Sequence, residues 1–129
     1  MRIDHLALWV DDLEGMRTFY MTYFGATAGA KYTNTAKEFT SYFLTFNVEG
    51  TRLELMNRPD IGEQMGKRGL LTGIAHFAVS VGSKEAVDRL TERLRADQYT
   101  IESEARTTGD GYYESVVLDP EGNYVEITG

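Results

Sequence analysis

The chain has 129 residues, 42% of them apolar and 26% charged, the balance of one compact globular unit able to bury a real core. Its formal net charge of −7 repels a phosphate backbone and sets nucleic acid aside as a partner, and no apolar run is long enough for a membrane span. The absence of cysteine excludes a disulfide framework, a thiolate nucleophile and a thiolate metal site; with no signal-like segment before the first strand, a reducing, cytoplasmic setting is expected.

Residues 3–10 alternate and are rich in β-formers, which predicts a strand. Asp11 with Glu14 three residues on reads as a capping box. Leu13, Met16, Phe19, Tyr20, Tyr23 and Phe24 then give a helical apolar face that Gly25 stops. Strands are predicted near Gly29–Thr33, Phe39–Phe46 and Thr51–Asn57, with a turn at Val48-Glu49-Gly50. The stretch from Arg58 to Gly73 holds four glycines and reads as a flexible linker.

The second half replays that order. A strand is predicted over 74–81, then a helix capped by Ser83 with Ala86, Val87, Leu90 and Leu94 inward. Strands follow at Tyr99–Thr107, Tyr113–Leu118 and Tyr124–Thr128, with Asp119-Pro120-Glu121-Gly122-Asn123 a turn before the last. The expected organisation is a single domain over 1–129, with β-α-β-β-β modules at 1–57 and 74–129 joined by the linker 58–73.

The two modules share wording. His5 and His76 are the only histidines, and Ile3-Asp4-His5-Leu6-Ala7 returns 71 residues later as Ile74-Ala75-His76-Phe77-Ala78. Leu53-Glu54-Leu55 returns 72 residues later as Val125-Glu126-Ile127. What is duplicated is one imidazole and one carboxylate per half. Strand alternation sets Leu6, Leu8, Leu53 and Leu55 on one face and His5 and Glu54 on the other, with the same division in the second half. If the aliphatic faces pack on the helices, all four polar groups lie on the concave side of the sheet.

A lone histidine on a strand, or a glutamate between aliphatics, is ordinarily a satisfied or solvent-facing residue. Chance gives no reason for the only two histidines and both glutamates to fall in equivalent slots, so the pattern predicts a divalent metal site. Imidazole nitrogen and carboxylate oxygen suit Ni²⁺, Co²⁺ or Zn²⁺, with Mn²⁺ or Fe²⁺ also compatible. Four protein donors would leave an octahedral ion two positions for water or substrate, which points to catalysis.

Over its whole length the chain resembles the vicinal oxygen chelate superfamily, which includes glyoxalase I, bleomycin-resistance proteins and extradiol dioxygenases. The resemblance is carried by Ile3-Asp4-His5-Leu6-Ala7, Phe19-Tyr20, Phe24-Gly25, Leu53-Glu54-Leu55, Ile74-Ala75-His76-Phe77-Ala78, and Asp119-Pro120-Glu121-Gly122-Asn123 with Val125-Glu126-Ile127. It implies an α+β fold of two tandem βαβββ modules forming a cup-shaped, eight-stranded mixed sheet with flanking helices. It implies one metal ion held by His5, Glu54, His76 and Glu126, the chain order of glyoxalase I, and a homodimer acting on a small molecule. It further implies a lyase or isomerase of lactoylglutathione lyase type, working on an α-hydroxy carbonyl or thiol adduct through an enediolate. Glu126 is then the catalytic base, and Glu54 the more permanent ligand, with the two roles interchangeable by symmetry. An epimerase, a thiol-transferring resistance enzyme and a non-catalytic drug- or metabolite-binding protein are the alternatives. The four intact ligands weigh against the last.

The resemblance to glyoxalase I is weakest at the glutathione contacts. Thr22 stands where that family carries a Lys or Arg, and Arg58 where it carries Asn. Lys31, Arg52, Arg58, Lys67 and Arg106 are candidates for a different anion clamp, each with the ordinary alternative of a solvated surface charge. Arg52 is the best placed, sharing Glu54's face. Trp9, Met56 and Tyr124 also share the ligand face and are expected to contact substrate. Tyr112 and Tyr113, after Gly109-Asp110-Gly111, are candidates to cover the mouth of the site.

Overall fold

A computed structural model describes residues 1–46, 50–62, 66–109 and 111–129. The chain divides into two compact units, Met1–Glu63 and Gln64–Gly129, a boundary inside the predicted linker. The turn predicted at Val48 and Glu49 lies outside the described residues, as does Asp110.

The first unit opens with strand β1 (His5–Trp9), followed by helix α1 (Leu13–Phe24). The N-cap is Asp12, one residue later than the predicted Asp11: its carboxylate accepts from the Gly15 N–H at 2.9 Å. Glu14 is thereby released from capping and bonds elsewhere. Gly25 ends the helix at φ 65°, the left-handed conformation that needs no Cβ, and its N–H returns to the Tyr20 carbonyl. The strand predicted near Gly29–Thr33 forms two short pieces, β2 (Thr27–Ala28) and β3 (Tyr32–Asn34), both paired to β4 (Phe39–Thr45). β5 (Arg52–Asn57) completes the unit. The sheet order is β1-β5-β4-β2, with β1 and β5 parallel across the α1 crossover and β4 antiparallel to β5.

The second unit repeats this plan. β6 (Phe77–Ser80), α2 (Lys84–Ala96), β7 (Ile101–Thr107), β8 (Tyr113–Leu118) and β9 (Tyr124–Thr128) form a sheet of order β6-β9-β8-β7, with β6 parallel to β9. Ser83 caps α2 as predicted, accepting from the Ala86 N–H at 3.2 Å. The described strands make two mixed sheets, of five and four strands, one in each unit, the α+β plan of tandem βαβββ modules that was expected.

Period-2 alternation explains each core. Leu53 and Leu55 of β5 and Tyr42 and Leu44 of β4 are buried with Met16, Phe19 and Tyr20 of α1. In the second unit Val125, Ile127 and Val117 are buried with Val87 and Leu94 of α2. Each such side chain contributes about 1.5–3 kcal/mol on burial. A buried polar pair in this core is satisfied: the Thr91 and Ser115 hydroxyls bond each other at 2.7 Å, and Thr91 lies 2.7 Å from the Val87 carbonyl.

Within the predicted linker, residues 68–70 are regular structure. Arg68–Leu70 form a 3-10 turn that docks within the second unit, where Arg68 donates to Asn123 at 3.0 Å. Gly69 lies so close to the Tyr124 ring that a Cβ there would stand 2.6 Å from ring carbons and 2.9 Å from the Ala75 carbonyl oxygen.

Candidate metal centre

In the first unit the parallel ladder sets His5 opposite Arg52, Ala7 opposite Glu54 and Trp9 opposite Met56. These residues share the sheet face away from α1, because their neighbours Leu53 and Leu55 occupy the core face. His5 Nε2 stands 3.7 Å from Glu54 Oε2, with the imidazole 39% exposed and the carboxylate 14%. The other ring nitrogen, Nδ1, lies 3.0 Å from Asp4 Oδ2. That same oxygen accepts a short hydrogen bond from Arg52 Nη2. The bond to His5, then that to Arg52, holds the Asp4 carboxyl down at about 2. Phe43, opposite Glu54 on β4, packs edge-on to His5 at 5.3 Å and beneath the Arg52 guanidinium at 4.3 Å.

The second unit rebuilds the pair. His76 falls just before β6, since the predicted strand over 74–81 is trimmed to Phe77–Ser80. Glu126 stands opposite Ala78, the alanine equivalent to Ala7, and His76 Nε2 lies 3.4 Å from Glu126 Oε2. The imidazole is 48% exposed and the carboxylate 15%. The surroundings are not duplicated: Ala75 replaces Asp4, Tyr124 replaces Arg52, and Val116 takes the place of Phe43 opposite the glutamate.

Among the described residues, no group of three or more His, Asp or Glu side chains is assembled for a metal. The structure forms two His–Glu pairs, one inside each unit. Their chemistry fits a divalent ion: two donors bound at about 2.0–2.2 Å, subtending roughly 90–110°, stand about 2.8–3.6 Å apart. The 3.4 Å of the second pair falls in that span and the 3.7 Å of the first just beyond it.

The candidate anion-binding cations are mostly paired to carboxylates of the chain itself. Arg52 bonds Asp4, Lys31 bonds Glu14 at 3.0 Å, Arg58 bonds Asp60 at 2.5 Å, and Lys67 approaches Glu102 at 3.4 Å. Arg106 stands in register with Glu114. Trp9 keeps a surface on the ligand face: it is 37% exposed, edge-on to Phe39, with Arg58 over its ring at 5.3 Å. Met56 lies beside it, half-buried. Tyr124 is more constrained than its sequence position suggests, with its ring against Gly69 and its hydroxyl donating to Glu102 at 3.1 Å. Burial, then that bond to Glu102, pushes its phenol up.

Tyr113 does not cover the ligand face. It shares the helix-side face of β8 with Ser115 and Val117, where its hydroxyl donates to Asp88 of α2 at 2.7 Å. Tyr112 is exposed. Asp4 is the residue that sequence reading missed. Its signal was available: it is the acidic residue next to one histidine where the duplicate carries alanine.

Comparison with known proteins agrees with this architecture. The family model described as Glyoxalase/Bleomycin resistance protein/Dioxygenase superfamily matches residues 2–127. No curated protein matches the chain. Among solved structures, the chain is similar to a trypanothione-dependent glyoxalase I of Leishmania major, with 24% identity and a TM-score of 0.80, covering 100% of this chain and 86% of that one. Glyoxalase I from Zea mays is similar at 24% identity and a TM-score of 0.76; the match covers 98% of this chain but only 44% of that one. A possible glyoxalase from Bacillus cereus shares 26% identity at a TM-score of 0.71, covering 100% and 99% of the two chains. At such identities these likenesses speak to fold. Repeated modules, matched His–Glu pairs and a family match over nearly the full length lead to one assignment: the chain belongs to the glyoxalase/bleomycin resistance protein/dioxygenase superfamily.

Proposed function

We propose that this chain is a divalent-metal-dependent lyase or isomerase of glyoxalase I type, acting on a small α-hydroxy carbonyl or thiol adduct and working as a cytoplasmic homodimer. His5 with Glu54 and His76 with Glu126 are its metal donors, and Ni²⁺, Co²⁺ or Zn²⁺ suits them. The observation carrying this reading is the repeated register, which sets a glutamate opposite the alanine two residues after each histidine. A solvated strand face has no need of that repetition.

When bound, a divalent ion would supply Lewis acidity toward a substrate carbonyl. The remaining work falls to the chain. Glu126 takes the proton from the carbon beside the carbonyl and returns it one carbon over, the role its counterpart has in the glyoxalase I resemblance. Its carboxylate is partly exposed and so open to substrate. Glu54 keeps its place beside His5. Trp9 and Met56 offer apolar surface to the non-reacting part of the substrate. Arg52, held by Asp4, shapes the His5 environment more than it binds an anion.

The test is turnover of methylglyoxal with glutathione, and of other thiols and α-hydroxy carbonyls, by protein stripped of metal and reloaded with Ni²⁺, Co²⁺ or Zn²⁺. Activity that appears on reloading is expected. Equal activity with and without metal, or none with any ion or substrate, contradicts the proposal.

A further inference from the structure

The duplication copies the imidazoles but not what holds them. His5 Nδ1 faces an acceptor, Asp4 Oδ2, at 3.0 Å, and Arg52 fastens that carboxylate from the adjoining strand. Arg52 donates to that same Asp4 oxygen, which therefore serves as an acceptor, and the ring nitrogen beside it must carry the hydrogen. His5 Nε2 faces Glu54 at 3.7 Å, too far for a hydrogen bond. At His76 the preceding side chain is the methyl of Ala75, and the nearer carboxylate, Glu126, stands 3.4 Å from Nε2, beyond a normal hydrogen bond, so among the described residues no carboxylate fixes that ring's proton. Which nitrogen of a neutral imidazole holds the proton is set by the hydrogen bond its partner nitrogen makes.

We infer that Asp4 is a positioning residue that fixes neutral His5 with its proton on Nδ1 and a bare lone pair on Nε2, and that His76, with Ala75 in Asp4's place, keeps the Nε2–H form that an unconstrained neutral imidazole favours. His5 is thus ready to donate to a cation without moving a proton. His76 must first move its proton from Nε2 to Nδ1, with water relaying it, before Nε2 can donate. The two halves of a symmetric-looking duplication are chemically unequal, and His5 is the prepared one. The consequence for metal affinity rests on the function proposed above; the tautomers themselves do not.

The experiment uses ¹⁵N-labelled full-length protein treated with chelator, at a pH well above the ordinary histidine pKa of about 6.5. Long-range ¹H–¹⁵N correlation reports which ring nitrogen is protonated, and a His76→Ala variant assigns the two imidazoles. His5 should show protonated Nδ1 and His76 protonated Nε2. Asp4→Ala should move His5 to the His76 pattern, Asp4→Asn should keep the original because the amide oxygen still accepts, and Ala75→Asp should convert His76. Identical tautomers at the two histidines of the unaltered protein, or a His5 pattern indifferent to Asp4→Ala, would overturn the inference without any variant having to bind metal. Titration with Ni²⁺ alone adds the second readout: Asp4→Ala should weaken affinity about 10–100-fold. An unchanged affinity beside a switched tautomer would overturn Asp4's role toward the ion and count against the metal reading of His5.

Discussion

Glu126 stands directly opposite Ala78 in the parallel pairing of β6 with β9, and that register brings its carboxylate to 3.4 Å from the His76 ring. Glu54 and Ala7 repeat the relationship in the first unit. The side-chain period of a strand is 2, so a slip of one residue would turn either glutamate to the helix side. Glu126→Gln keeps the shape and a carbonyl oxygen but removes the base. It should retain bound metal while lowering kcat by about 10²–10⁴-fold. Steady-state kinetics beside metal analysis checks this, and full residual activity would remove Glu126 from the chemistry.

The same alternation makes Leu55 the anchor of Glu54's strand. It is fully buried, paired with Tyr42 on β4 and Leu8 on β1. Leu55→Ala should cost about 2–5 kcal/mol of stability, through lost burial and the cavity left behind. Urea unfolding measures it. A loss well under 1 kcal/mol would mean that the aliphatic face is not the core described.

Gly69 carries the 3-10 turn against Tyr124, and even a methyl group would meet the ring at 2.6 Å. Gly69→Ala should displace that ring or lift the turn, which would loosen the Tyr124–Glu102 bond. Faster amide exchange over 67–71 and an altered Tyr124 phenol titration are the expected signs. Wild-type behaviour in both would show that the turn is not docked.

Glu14 links α1 to its sheet: it accepts from Lys31 at 3.0 Å and the Tyr42 hydroxyl at 3.1 Å, and Arg17 stands 3.2 Å away. The Lys31 bond foremost, then the bond to Tyr42 and the two cations' charges, holds its carboxyl below the ordinary value of 4.5. A depressed folded pKa gives stability that is complete above the unfolded value and is lost as pH falls through the folded one. Glu14→Gln should therefore flatten the decline in Tm below pH of about 4.5, with the two proteins converging at the acid end. The group is exposed and screened, so the effect is small. An unchanged acid slope would exclude this contribution.

Much of the architecture was legible because hydrophobic period and duplication agree. β8 and β9 fall where alternation placed them, and Gly25 and Ser83 bound the helices as expected. What escaped depended on partners distant in sequence. The break between β2 and β3 follows from separate pairings to the two ends of β4, which no local pattern encodes. Asp12 takes the cap where Asp11 was expected, and Glu14 bonds Lys31 and Tyr42, both distant in sequence. Tyr113 turns to Asp88 because its strand register puts it on the helix side. The His–Glu pairing was readable from two repeated phrases. The Asp4–Arg52 support of His5 needed the strand register, since 48 residues separate the two.

If the duplicated histidines and glutamates are metal donors, elemental analysis of protein purified without chelators will find the ion they hold. About one divalent ion per chain is expected, falling roughly tenfold or more in occupancy in His5→Ala and in His76→Ala. Protein that takes up no ion on reloading, or metal content undiminished in both variants, would contradict it.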